Sequence, residues 1–513
     1  MPAPIADSLA GLPQGAADAP AIGAPGRAPL TYAGLARLRC TVQDQLARAG
    51  ITSADRVAIV LPNGAAMASC FYAVAASAAA APLNPAYRPA EFEFYFDDLQ
   101  PQAVIFQAGE HSPARAVAAS AGIPVFELHE DLTSAAGMFT LHGRVGANAI
   151  TISPPTASDV ALILHTSGTT SRPKMVPLSQ ANLCASVAHI TATLRLEAAD
   201  HCLNIMPLFH IHGLLAAVLS SLASGGCVTC TPGFSATAFF GWLDSIRPSW
   251  YSAVPTMHQV IVERAERNAD VVQRARLRFI RSSSSSLPPP VMMRLEQVFG
   301  CPVIESYGMT EAAHQMTSNP LPPAPRKAGA VGLPAGPEVR VLGTDGYFVA
   351  AGSEGEIVIR GPNVTAGYAN NPDANVRAFA PDPAAGAAWF RTGDLGVIDA
   401  DGYLTISGRI KEIINRGGEK IAPREVDDVL SAHAEVAQAV TFAVRHPKLG
   451  EDIAAAVVLR AGATVSERAL RAFVGARLAG FKVPARIYFV AEIPKGNTGK
   501  LQRIGLAQLL GLE

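Results

Sequence analysis

Lysine is scarce in this 513-residue chain: it occupies eight positions, and the other 33 of the 41 basic side chains are arginine. Charge of one sign is not in excess either, since 41 basic residues face 42 acidic ones. With no basic stripe, an electrostatic nucleic-acid footprint is excluded, and any anionic ligand must be held by local groups. Cysteine is sparse and scattered, and only Cys227 and Cys230 form a Cys-x-x-Cys pair. That pair lies in an apolar run that reads as a strand, and no second ligand pair at metal spacing accompanies it, so structural thiols are expected in place of zinc or redox chemistry. The first residues, Met1 to Asp7, lack the basic and apolar regions of a secretory signal. The final Gly511-Leu512-Glu513 is not a peroxisomal address. A cytoplasmic protein is therefore expected. One apolar stretch, Ala65 to Leu83, invites a membrane reading, but it is alanine-rich, carries Ser69 and Ser77, and is at the lower limit for crossing a bilayer. It reads as a buried helix, and no membrane partner is expected. Charged residues make up only 16% against 49% hydrophobic, which excludes a disordered or fibrous chain.

What is present is an alternation. Short apolar runs at Arg56–Leu61, Val104–Phe106, Val160–Leu164, Leu203–Met206 and Val228–Thr231 stand between helical stretches, the pattern of an α/β architecture with largely parallel sheets. Proline and glycine cluster around 320–325 and 334–337, and strands at Glu338–Leu342 and Glu356–Arg360 follow, which reads as a β-rich subdomain. After Gly408 a compact α+β pattern begins: a helix at Arg424–His433, strands at Val436–Val444 and Ile453–Leu459, a helix at Glu467–Leu478 and a last strand near Ile487–Val490. Two domains are expected, 1–408 and 409–513, the second of ordinary small-domain size.

Six of the eight lysines fall after residue 410. This is either a coding bias toward arginine with a solvated terminal domain, or a sign that the retained positions need a compact ammonium on a flexible stem. Just after the run Val160–Leu164 stands His165-Thr-Ser-Gly-Thr-Thr-Ser-Arg-Pro-Lys174. Its hydroxyls, glycine and lysine suit phosphate oxygens. A Walker loop would need Gly-Lys-Ser/Thr, so this is a phosphate loop of another kind or a polar turn.

Five segments occur in order: Thr166–Lys174, Glu305-Ser-Tyr-Gly-Met-Thr-Glu311, Trp389-Phe-Arg-Thr-Gly-Asp394, Gly408-Arg-Ile-Lys-Glu-Ile-Ile-Asn415 and Pro494-Lys-Gly-Asn-Thr-Gly-Lys500. Together they resemble the successive core motifs of the adenylate-forming superfamily, which includes acyl-CoA synthetases, luciferase and peptide-synthetase adenylation domains. The resemblance runs from about Pro29 to Leu509. It implies a large N-terminal α/β region of two similar subdomains plus a β-rich subdomain, followed by a small mobile α+β domain. It also implies that a small-molecule carboxylate and ATP form an acyl-adenylate, with Mg²⁺, and that CoA then displaces AMP.

Residue by residue, the resemblance assigns Thr166, Ser167, Gly168, Thr169, Thr170 and Lys174 to the phosphates. Ser306, Tyr307 and Gly308 go to the nucleotide, with the Tyr307 ring offering a face to adenine. Thr310 offers a hydroxyl to phosphate and Glu311 a carboxylate to Mg²⁺. Asp394 and Arg409 are assigned to the ribose and phosphate, and Lys411 to the hinge. Lys500 is implied to cross to the reacting carboxylate and α-phosphate. Gly417 and Gly418, within Arg416-Gly-Gly-Glu-Lys420, would let backbone approach the CoA pantetheine.

A narrower resemblance is carried by Pro207-Leu-Phe-His-Ile-His-Gly213, Phe234-Ser-Ala-Thr237, Trp250–His258, Arg278-Phe-Ile-Arg-Ser282 and Glu311-Ala-Ala-His314. These look like the oxalyl-CoA synthetases. On that likeness His210, Ser284 and His314 would bring donors to the acyl end, as a second carboxylate requires. His210 also joins Lys500, Thr310 and Glu311 among the implied catalytic residues. His212 and His258 read as structural. The run Ser282 to Ser286 departs from the pattern, in which one or two of these positions would be Cys or Ala. The alternatives are a ligase for fatty acids, malonate or another carboxylate, and a non-catalytic nucleotide-binding protein on the same fold.

Overall fold

Along Arg56–Val60 the side chains alternate between two cores, Val57 and Ile59 entering one and Ala58 and Val60 the other. A strand buried on both faces belongs in the middle of a parallel sheet covered by helices on each side. The computed structural model, which describes residues 8–143, 154–166, 173–383, 386–495 and 501–512, places it there. Its sheet has seven strands in the order Phe139–Gly143, Val125–Glu130, Ala103–Gln107, Arg56–Val60, Ala79–Pro82, Val160–Thr166 and Lys174–Ser179, parallel inside and antiparallel at both edges.

A second sheet of nine strands is built on the same plan. Its parallel centre runs Val303–Met309, Phe279–Ser282, Trp250–Ala253, His201–Asn204 and Cys227–Cys230. One apolar cluster fills the space between the two sheets: Ile59 and Leu162 come from the first, Trp250, Phe279 and Ile304 from the second, with helices Ala65–Ala75 and Gln180–Thr193 between. A third sheet, of five strands and wholly antiparallel, holds Glu338–Leu342, Glu354–Arg360, Trp389–Ile398 and Leu404–Arg409. The smaller C-terminal unit has a five-stranded sheet of its own, begun at Ile414–Arg416 and centred on Gly450–Leu459. The mixed α/β architecture is thus the one expected from the alternation.

The buried helix read over Ala65–Leu83 needs correction. The helix stops at Ala75, and Ala79–Pro82 is a central strand paired on both sides. Alanine favours helix, but between two parallel neighbours and two covering layers a small side chain is what fits, and pairing overrides propensity. No helix among the described residues is long and apolar enough to cross a membrane. Cys227 and Cys230 lie in a buried strand, and burial pushes both thiols up to about 12, which makes them poor nucleophiles at neutral pH.

The C-terminal unit is tied to its last residues by one arginine. Arg503 donates to Glu412 at 2.9 Å, to Asp427 at 2.7 Å and to the Thr441 carbonyl. Just before it, Lys495 and Leu501 pair as an isolated antiparallel bridge. Because Asp427 is only 13% exposed, losing its partner leaves a poorly compensated charge. We expect Arg503→Ala to destabilise this unit by about 3 to 5 kcal/mol. In urea or thermal unfolding it should appear as an earlier transition for the C-terminal unit alone, and an unchanged profile would refute the anchoring role.

Candidate active site

Parallel strands present their carboxyl ends together, and in open α/β sheets ligands collect there. In the nine-stranded sheet those ends carry the residues singled out above. His210 and His212 follow strand His201–Asn204, Ser252 lies near the end of Trp250–Ala253, Ser284 follows Phe279–Ser282, and Ser306 to Met309 end strand Val303–Met309, with Thr310 just beyond it. After a short 3₁₀ turn at Thr310–Ala312 the chain reverses into strand His314–Ser318. The reversal takes two residues of positive φ, Ala313 at 46° and His314 at 95°. It also requires glycine at 308, where a Cβ would stand 1.8 Å from the His314 carbonyl oxygen.

The residues expected at the acyl end, His210, Ser284 and His314, are partly brought together. His212 faces Ser284 Oγ through Nδ1 at 3.0 Å and Ser252 Oγ through Nε2 at 2.5 Å, and its ring lies edge-on to His314 with centroids 5.1 Å apart. So His212, which reads as structural in the sequence, joins Ser284 and His314, with Ser252 behind it. Its helix, His212–Leu219, has the wider i→i+5 hydrogen bonding, a form common at functional sites. His210 stands two residues earlier, half-buried, its ring 5.1 Å from that of Phe209. His258 is enclosed between Tyr251 and the Arg281 carbonyl. Ser282 and Ser283 are buried at a strand end, and only Ser284 in the run takes a positive φ, 74°.

A second group forms around Asp394. The buried carboxylate accepts from Tyr307 Oη at 2.5 Å and from Arg409 Nε at 2.6 Å, and its own N–H donates to Thr392 Oγ1 at 3.1 Å. Register explains the ion pair, because Asp394 and Arg409 are opposite each other on antiparallel strands. Burial first, and then the Asp394 charge, push the Tyr307 phenol well above its ordinary value, so it stays a donor.

A third group centres on Glu311. Burial raises its carboxyl above the usual range, and Tyr368 Oη donates to it at 2.8 Å. Lys174 lies over the Tyr368 ring at 4.2 Å, and its ammonium is lowered by burial and then by the nearby charge of Lys411. Thr166 is opposite Lys174 in register. Ser167, Gly168, Thr169 and Thr170 lie outside the described residues, as does Lys500. Tyr368 and Thr392 escaped the sequence reading of roles, although Thr392 stands inside a quoted motif. Gly417 and Gly418 form the two-residue tip of a hairpin between Arg416 and Glu419, with φ of 61° and 99°. That turn itself demands glycine.

The C-terminal unit reaches this edge through helix Pro423–Ser431, whose Arg424 donates to Ser286 Oγ. Beneath that contact Glu305 is fully enclosed. One carboxylate oxygen accepts the Leu287 N–H at 2.9 Å, and the other has no partner among the described residues. Burial pushes its carboxyl up to about 7, against the opposing pull of the Leu287 N–H and of Arg424.

Comparison with known proteins gives a consistent set of likenesses. The sequence profile described as AMP-binding enzyme matches residues 13–369, and that of the AMP-binding enzyme C-terminal domain matches 425–500. An oxalate–CoA ligase of Arabidopsis thaliana is 44% identical over 98% of both chains. A sulfoacetate–CoA ligase of Cupriavidus necator is 38% identical over 93% of this chain and 92% of that one. Among solved structures, ATP-bound MatB of Rhodopseudomonas palustris superposes with a TM-score of 0.84 at 29% identity, covering 94% of each chain.

Glu305 yields a pH prediction. Its folded value of about 7 lies above the ordinary 4.5, so the folded state holds the proton longer. Its contribution is full below about 4.5 and is lost as pH rises toward 7. Between pH 5 and 7.5 the urea-derived stability of the wild type should fall relative to that of Glu305→Gln, by up to about 3 kcal/mol. Parallel profiles for the two proteins would contradict the assignment.

Proposed function

Because the chain belongs to the AMP-binding enzyme family and is an AMP-forming acyl-CoA synthetase, we propose that it joins oxalate to coenzyme A. The observation that carries this reading is the polar cluster His212, Ser284 and His314. A fatty-acid pocket needs apolar lining at the acyl end, whereas a second carboxylate needs donors there. The names of two relatives support it, since oxalate and sulfoacetate are both short acids with a second anionic group.

On this reading one carboxylate of the acid attacks the α-phosphorus of ATP, pyrophosphate leaves, and the CoA thiol then displaces AMP from the acyl-adenylate. Ser284 and His314, with His212, hold the second carboxylate, and His210 stands at the approach. Tyr307 and Asp394 receive the nucleoside, with Arg409 exchanging part of its hold on Asp394 for ribose or phosphate. Thr166, Lys174 and Thr310 take the phosphates. Glu311 would hold Mg²⁺: its buried carboxylate is a hard oxygen donor, and phosphate and water would complete the ion's shell. When bound, Mg²⁺ neutralises phosphate charge. No side-chain nucleophile is required, and the work is positional and electrostatic.

The C-terminal unit, 409–513, is proposed to swing about Lys411. The change of sheet between Leu404–Arg409 and Ile414–Arg416 supports a hinge there. Lys500 would serve the first half-reaction only, and the Gly417–Gly418 tip the CoA step. The seven free thiols suit a reducing compartment such as the cytoplasm.

Pyrophosphate release with a panel of oxalate, malonate, sulfoacetate, acetate and octanoate tests the acid. We expect oxalate to give the highest kcat/KM, exceeding octanoate by roughly a hundredfold or more, the loss expected when a buried polar site meets an alkyl chain. Octanoate or acetate as the best substrate would overturn the oxalate assignment, and no release with any acid would favour a binding protein. Separately, Lys500→Ala should abolish acid-dependent pyrophosphate release while sparing thioester formation from supplied acyl-adenylate. Equal loss of both steps would remove the proposed division of labour.

A further inference from the structure

Arg281 carries a positive charge that nothing in the proposed reaction uses. It lies on strand Phe279–Ser282 and is completely buried. Of its guanidinium, Nη2 donates to Gln315 Oε1 at 3.3 Å, while Nε and Nη1 have no hydrogen-bond partner among the described residues. No carboxylate among those residues pairs with it. Burying an unpaired cation is costly, and arginines inside proteins are ordinarily matched by an anion. Burial lowers its proton affinity only to about 9, so the side chain remains charged at neutral pH.

Its position is as telling as its isolation. Arg281 is the register partner of Ser252 on the adjacent parallel strand, so the two side chains leave the same face of the sheet. The Ser252 hydroxyl meets His212, which meets Ser284 and packs against His314. On the other side, Arg281 bonds Gln315, the residue after His314. Arg281 thus shares a sheet face with Ser252 and is bonded to the residue that follows His314.

We propose that Arg281 is a specificity-determining positioning residue, a fixed cation beneath the His212–Ser284–His314 cluster that selects short acids bearing a second anionic group over singly charged acids of the same shape. The proposal rests on the reading that the acid lies against Ser284 and His314, and it assigns the source of charge selectivity within that site. The hydroxyls and imidazoles define where hydrogen bonds form. The unneutralised guanidinium supplies the potential that makes a dianion worth binding in a dry site.

The test compares oxalate with oxamate, in which a neutral amide replaces one carboxylate at nearly unchanged shape. Full-length wild type, Arg281→Met and Gln315→Glu are assayed for kcat/KM with each acid at saturating ATP. Arg281→Met should lower the oxalate value roughly 10- to 100-fold and the oxamate value less than about 3-fold, with KM for ATP unchanged. Gln315→Glu leaves Arg281 in place but gives it a counter-charge, and it should move the oxalate-to-oxamate ratio in the same direction. This second variant keeps the proposal testable if Arg281→Met does not fold. Equal losses for both acids in Arg281→Met, or an unaltered ratio in Gln315→Glu, would overturn it. A wild type that rejects oxalate would overturn the oxalate reading and this inference together, whereas a wild type that prefers oxalate and variants with its ratio would sink the role of Arg281 alone.

Discussion

Charged groups withdrawn from water line the carboxyl edge of the nine-stranded sheet and the strands beside it. Asp394, Glu305, Glu311 and Arg281 are all buried. Each would be costly alone, and the structure meets the cost differently at each position. Asp394 takes a phenol and a guanidinium, Glu311 takes the Tyr368 phenol, and Glu305 keeps one backbone N–H and a raised proton affinity. Arg281 keeps its charge with a single weak bond. This edge is where the fold has accepted electrostatic expense, and perturbed groups concentrate where chemistry is done.

The backbone that carries these groups is no freer than they are. Tyr307, Thr310, Glu311 and His314 lie on one reversal, and its two arms come so close at Gly308 and His314 that no side chain fits at 308. The same tightness lets the Tyr307 phenol and the His314 imidazole stand on adjacent strands of one hairpin. The partners of His212 are amphoteric: a hydroxyl on each side of it can donate or accept. The cluster can therefore satisfy itself without a ligand and still turn donors toward an anion.

Much of this was legible in the sequence where chemistry and local pattern coincide. The small antiparallel strand Glu338–Leu342 ends where the alternation of its residues says it should, and the C-terminal helices and strands lie within a few residues of their expected bounds. What the sequence hides is pairing between distant segments. Ala79–Pro82 looks helical because alanine is helical by habit, and only the neighbouring strands make it β. His212 looks like a core histidine because it precedes an apolar helix, and only the sheet brings Ser252 and Ser284 to its two nitrogens. Arg281 drew no attention within Arg278-Phe-Ile-Arg-Ser282, because a basic residue in a strand is ordinarily at the surface. Asp394 is an intermediate case: Thr392-Gly393-Asp394 looks like a turn but lies within strand Trp389–Ile398, and its partners Tyr307 and Arg409 come from separate motifs.

The contact of Arg424 with Ser286 joins the C-terminal unit to the same loop that carries Ser284. Thermodynamics makes such a contact two-way. If an acid settling against Ser284 alters how Ser286 meets Arg424 by some factor, then docking of the C-terminal unit alters the acid's affinity by that same factor. The serine run is then more than a lining. It is a ledge on which two equilibria stand, so the identity of the acid and the posture of the domain become variables of a single free-energy surface.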